Sequence, residues 1–102
     1  MSNRKKVAEI HHETEKVLSN FRTMLPEDSV EAIKHYLEHG EVEIALEGLC
    51  IDLISEGLMS LSNLYQLKSM AREVGLDRES VLRADFWSLL EAEEDNLKKA
   101  KK

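Results

Sequence analysis

The centre of the chain, residues 41–57, reads EVEIALEGLCIDLISEG and is its most apolar part. On a helical wheel most of its apolar side chains cover one broad side, and Ile44 and Ile51 lie on the other. A helix that is apolar nearly all round is packed by neighbours on several sides. The segment therefore predicts a central helix, around which the rest of the chain is arranged.

Two residues inside this helix carry separate predictions. Cys50 is the single cysteine of the chain and lies in an apolar run, with no activating group beside it. We therefore expect an inert core residue rather than a nucleophile. Gly48 costs roughly 1 kcal/mol relative to alanine in a helix interior. Such a cost predicts that a crossing helix approaches closely at this position.

Two helices are predicted before the central one. The first has apolar or small side chains at spacings of three and four, which is typical of one helical face: Val7, Ile10, Thr14, Val17, Phe21 and Met24. Pro26 ends this helix, because the residue before a proline is pushed out of the α region. Residues 27–29, Glu-Asp-Ser, then provide the acidic capping chemistry of a new helix. Gly40 is expected to end that second helix.

Two more helices are expected after the central one. Ser60 or Ser62 can cap a fourth helix, and Gly75 is placed to end it. Asp77 opens the last helical region, and a break is expected near Asp85, which could cap a new start. No stretch alternates apolar and polar residues as a half-buried strand would.

Length and composition indicate one domain. The chain has 102 residues, of which 42% are hydrophobic and 33% charged. A chain of this length can bury a core without disulfides. We predict an all-α, single-domain orthogonal bundle of about five helices over residues 1–102, with short connections. The lysines of residues 98–102 are expected to form a frayed basic tail. No apolar run approaches the ~20 residues of a spanning helix, and the charged segment after the basic N-terminus is unlike a signal peptide. We therefore expect a cytoplasmic protein.

The net charge of −6 is unevenly distributed along the chain. Residues 27–56 carry nine acidic side chains and one lysine, Lys34. Such a surface disfavours nucleic acid as a ligand, because phosphate neutralisation supplies most of that affinity. It favours a basic protein partner, and nothing points to a membrane.

One motif could carry chemistry, but it is weak. His35 and His39 with Glu38 match the H-x-x-E-H pattern of inverted zinc peptidases. The pattern is easily met by chance, lies in the last turn of its helix and lacks a third ligand. The adjacent His11 and His12 point about 100° apart on a helix and chelate poorly. There is also no glycine-rich phosphate loop. We therefore predict no metal, no cofactor and no enzymatic activity.

Residues 36–49, YLEHGEVEIALEGL, carry a family resemblance. A helix that ends in a His-Gly-Glu corner and continues into Ala-Leu-Glu-x-Leu resembles the small helical immunity proteins of the MafI type. These are related to the immunity proteins of contact-dependent growth inhibition systems. The resemblance extends more weakly through residues 52–58 and 64–76. It implies a cytoplasmic antidote that binds and neutralises the C-terminal domain of a secreted toxin, often a ribonuclease.

The acidic charge agrees with this interpretation, because nucleases present basic clefts to which an acidic inhibitor is attracted. Six residues are predicted to contact the partner: Tyr36, Glu38, Glu41, Glu43, Glu47 and Trp87. For two of them another interpretation stays open. Glu47 could reach a helix N-terminus inside the fold, and Trp87 could be half-buried packing. The alternative function is a helical adaptor or self-associating module without a toxin partner, which would form a weak homodimer.

Overall fold

The computed structural model describes residues 3–100, with side-chain surroundings for residues 6–100. This part of the chain forms five helices: α1 Asn3–Phe21, α2 Glu27–Glu38, α3 Val42–Ser55, α4 Leu61–Glu73 and α5 Phe86–Ala100. It contains no strand. The predicted all-α, single-domain bundle of about five helices is confirmed. None of the described helices is long and apolar enough to cross a membrane.

Helix α3 is the centre of the bundle. It contacts each of the other four helices. Five of its apolar residues are completely buried: Ala45, Leu46, Leu49, Cys50 and Leu53. Ile44 and Ile51, on the other side of the wheel, are half-buried. The central position that the apolar pattern predicted is thus observed, and it follows from burial on several sides.

The end of α1 differs from the prediction. The helix ends at Phe21, and a turn follows in which the N–H groups of Met24 and Leu25 donate to the Phe21 carbonyl oxygen at 2.9 and 3.1 Å. This turn buries Leu25 and leaves Met24 51% exposed. Met24 is therefore not part of the buried face. The helix had already ended before Pro26, which occupies the N-cap position of α2.

The stop of α2 at Gly40 is confirmed. The Gly40 N–H donates to the Leu37 carbonyl oxygen at 3.1 Å and the Glu41 N–H to that of Tyr36 at 2.8 Å. This is the Schellman arrangement, and it needs the left-handed φ of +73° that Gly40 adopts. Gly75 ends α4 in the same arrangement, with φ of +86°. The chain therefore turns sharply at both positions.

The connections are short except for the last one. Residues 22–26, 39–41 and 56–60 join the first four helices, and Ser60 caps α4 by accepting from the Asn63 N–H at 3.1 Å. Residues 74–85, here called the α4–α5 segment, are longer than predicted. No helix begins at Asp77, so that predicted start is wrong. The new helix start expected next to Asp85 is observed, since α5 begins at Phe86.

The expected fraying of residues 98–102 is wrong for residues 98–100. These residues belong to α5, and Lys98 Nζ lies 3.0 Å from a carboxylate oxygen of Glu94, one turn earlier. A lysine near the end of a helix also interacts favourably with its dipole. Residues 101–102 lie outside the described part of the chain.

Gly48 and Cys50 have different outcomes. A Cβ at Gly48 would lie 3.6 Å from Leu82 Cδ1 and 3.9 Å from Ile33 Cγ1, which are ordinary contact distances. The predicted close approach of a helix at Gly48 is therefore wrong. Cys50 is completely buried, as expected. Burial raises the pKa of its thiol to about 12, and the negative charge of Glu47 adds to the shift.

Candidate docking surface

Three of the predicted acidic contacts lie on the exposed corner between α2 and α3. Glu38 ends α2, Glu41 is the N-cap residue of α3, and Glu43 lies in the first turn of α3. All three are exposed. No ion pair involves them within residues 6–100. Acidic residues at a helix N-terminus also interact favourably with the dipole. The corner therefore keeps its negative charge available.

Glu47 is not on this surface, and its prediction as a partner contact is wrong. Its side chain is completely buried. The N–H group of Val81 donates to one carboxylate oxygen at 2.8 Å, and those of Leu82 and Arg83 donate to the other at 2.9 and 2.7 Å. The carboxylate thus binds the backbone of the α4–α5 segment just before α5. The alternative interpretation, that Glu47 reaches a helix N-terminus inside the fold, is correct about the internal position. The N–H groups that it binds, however, do not form a helix N-terminus.

Backbone N–H groups take the place of a cation at this buried carboxylate. Within the described residues Glu47 makes no ion pair. Successive N–H groups in a turn form a concavity that binds anions. Hydrogen bonds to an ionised acceptor are also stronger than those between neutral groups. Glu47 is therefore the contact that fixes residues 81–83 against α3.

The fixed segment and the acidic corner enclose an open groove of about 790 Å³. Its lining combines carboxylates with apolar side chains: Gly40, Glu41, Glu43, Ile44, Val74, Gly75, Arg78, Glu79, Ser80 and Val81. This surface is here called the corner groove. Sequence reasoning missed residues 74–81, because the apolar spacing of Val74 and Val81 fits helical faces directed at the core. One signal was available, since Glu47 is an isolated charge within the buried run of α3.

Glu38 belongs to a different groove, between α1 and α2, of about 460 Å³. Its charged lining residues include Glu15, Arg22 and Lys34. Beside it the ring of His11 donates from Nε2 to the Leu37 carbonyl oxygen at 2.9 Å. The two grooves share no lining residue. The predicted acidic contacts are therefore divided between two surfaces.

The two predicted aromatic anchors also lie outside the corner groove. Tyr36 is half-buried and packs against the core. Trp87 is half-buried too, with Lys68 Nζ 5.4 Å and Arg72 Cζ 5.2 Å from its ring centroid. Trp87 lines a third, smaller groove that shares only residues 78–80 with the corner groove. These distances suit cation–π contacts between α4 and α5. Packing is thus the role that the geometry supports for Trp87.

A network of opposite charges lies next to Trp87. Glu94 on α5 accepts from Lys68 Nζ at 2.8 Å and lies 3.0 Å from Lys98 Nζ. These two hydrogen bonds hold the pKa of the Glu94 carboxyl below its usual value, and the bond from Lys68 has the larger effect. Paired in this way, the charges join α4 to α5 and are less available to an outside ligand than those of the corner.

The histidine motif is arranged as a helix end. His39 Nδ1 donates to the His35 carbonyl oxygen at 2.8 Å, and the two ring centroids lie 4.3 Å apart. Among residues 6–100 no three His, Cys, Asp or Glu side chains are grouped so that they could hold a metal ion. The Nδ1 atom of His39 is thus engaged with backbone.

Comparison of the chain with protein-family models, curated proteins and solved structures gave no match. The described surface offers carboxylates beside apolar side chains, in a groove open to solvent, and such a surface can bind a ligand without catalysing a reaction.

Proposed function

We propose that this chain is an immunity protein, which binds a cognate toxin domain in the cytoplasm and neutralises it. The observation that carries the proposal is the exposed pair Glu41 and Glu43, which line the corner groove and make no ion pair with any residue among 6–100. Unpaired carboxylates on a fixed backbone raise the association rate of a basic partner and orient it. A toxin domain with a basic, RNA-cleaving active site has the complementary charge.

The resemblance of residues 36–49 to immunity proteins of the MafI type supports the same proposal. The corner that carries the resemblance also carries the exposed acidic charge. The hydrogen-bonded turn at Gly40 supports it further, since a preorganised surface loses less conformational entropy when it binds. An inhibitor of this kind acts by covering its partner and needs no catalytic group.

The direct test is rescue of growth. Any toxin domain encoded next to this gene is expressed in a host cell with and without this chain. We expect growth only when the two are produced together, and a complex of the two purified proteins. Absence of rescue, or absence of a complex, would contradict the proposal.

Charge reversal tests the surface itself. In E41K/E43K we expect slower association with the toxin domain, and a larger loss at low salt than at high salt, because salt screens exposed charges. The matched control is E31K/E91K, which makes the same change in net charge at two exposed acids outside the corner groove. Equal losses in both variants would show that only net charge matters. Concentration-dependent dimers of the unaltered chain, without toxin binding, would favour a self-associating module.

A further inference from the structure

We infer that the corner groove receives a segment of a partner protein in which one apolar side chain is flanked by lysines or arginines. This inference rests on the proposed function and deepens it, since it names the chemistry of the partner at the same corner. Three observations carry it: the composition of the groove, the position of Val81, and the contrast with the groove between α1 and α2.

The composition of the groove selects both features of the occupant. Ile44, Val74 and Val81 supply apolar surface. The charged lining residues are three carboxylates and one guanidinium: Glu41, Glu43, Glu79 and Arg78. Arg78 points outward, with 83% of its side chain exposed. An apolar side chain fits the floor, and cations beside it match the excess of carboxylates.

Val81 is the most exposed large apolar side chain among residues 6–100, at 59%. Its backbone is nevertheless held, because its N–H group donates to Glu47 at 2.8 Å. An exposed apolar side chain on a held backbone loses less entropy when a partner covers it than one on a mobile backbone. Glu47 is thus a positioning residue for the groove, although it touches no partner itself.

The groove between α1 and α2 has no such preference. Its charged lining residues are balanced in number: Glu15 and Glu38 are matched by Arg22 and Lys34. Charge complementarity therefore points a basic segment to the corner groove and not to its neighbour.

The test uses two synthetic peptides and the ¹⁵N-labelled full chain. The first peptide is acetyl-Lys-Arg-Leu-Arg-Lys-amide, and the second replaces its leucine with serine. We expect saturable chemical-shift changes at the amides of Ile44, Val74 and Val81 with the leucine peptide. Because an apolar side chain is buried, the serine peptide should bind about tenfold more weakly.

Variants of the chain complete the test. V81S should weaken binding of the leucine peptide severalfold and leave binding of the serine peptide nearly unchanged. The matched control is V7S, since Val7 is an exposed valine (43%) outside the groove. Equal binding of the two peptides would overturn the inference. So would shifts confined to the groove between α1 and α2, or shifts at the corner groove that depend on protein concentration without peptide, which would indicate a second copy as the occupant.

The two proposals can fail separately. Peptide binding at the corner groove without toxin neutralisation would leave the inference standing and contradict the proposed function. Toxin neutralisation that V81S leaves intact, with no peptide binding, would overturn the inference and keep the proposed function.

Discussion

Replacement of Glu47 should destabilise the protein more than any exposed acid does. The change E47A removes the acceptor of three backbone hydrogen bonds of 2.7 to 2.9 Å. Hydrogen bonds to charged groups contribute about 1.5–3 kcal/mol each, so a simple sum is about 4.5–9 kcal/mol. Two effects reduce it. Val81, Leu82 and Arg83 are exposed residues, so their N–H groups can bind water once the segment moves. Burial of the carboxylate also has a cost, which the mutation removes.

We therefore expect E47A to lower the free energy of unfolding by about 3 kcal/mol, and E47Q by about 2 kcal/mol, because the glutamine amide keeps one acceptor oxygen. Urea denaturation measures both values. The control is E43A, an exposed acid on the same helix, which should change stability by no more than about 0.5 kcal/mol.

Hydrogen exchange locates the effect. In E47A the amides of residues 81–83 should exchange faster, while amides in the middle of α3 should follow only the change in global stability. A loss of less than about 1 kcal/mol in E47A, with protection of residues 81–83 unchanged, would refute the role assigned to Glu47.

Three further predictions concern other helices. Cys50 should react with iodoacetamide at pH 8 only as fast as the protein unfolds, because burial raises the pKa of its thiol; rapid labelling of the native protein would contradict this. G48A should raise the free energy of unfolding by up to about 1 kcal/mol in urea denaturation, since the added Cβ makes only ordinary contacts; a loss would indicate a closer packing than described. The pKa of Glu94 is lowered mainly by the hydrogen bond from Lys68, so its contribution to stability should be complete above about pH 4.3 and fall as the pH falls through the lowered pKa. The free energy of unfolding, plotted against pH, should therefore change less over that acid range in E94Q than in the unaltered protein. Equal slopes in the two proteins would contradict the pairing.

The helices could be predicted because their signals are local. The apolar spacing of α3 and the glycine at the end of α2 each act within a few residues, and burial then follows from the pattern. The end of α1 was missed because periodicity alone carried the helix on to Met24. The spacing of apolar residues does not reveal the turn that buries Leu25.

The candidate site was predicted only in part, because the corner groove combines residues 40–44 with residues 74–81, which are distant in the sequence. A count of acidic residues includes Glu47 together with Glu41 and Glu43, although the first is buried and the others are exposed. Their difference depends on residues 81–83, more than thirty positions later in the chain. Because Glu47 accepts hydrogen bonds from backbone N–H groups, the side chains of residues 81–83 do not indicate the contact.

The same feature has a consequence for variation. Glu47 holds residues 81–83 through backbone groups that every residue except proline possesses. The course of the α4–α5 segment is therefore largely independent of which side chains it displays. Val81 could be exchanged for a larger, smaller or charged residue, and the fold would lose little. The side chains that this surface displays can therefore change in size or charge while the backbone that carries them keeps its course.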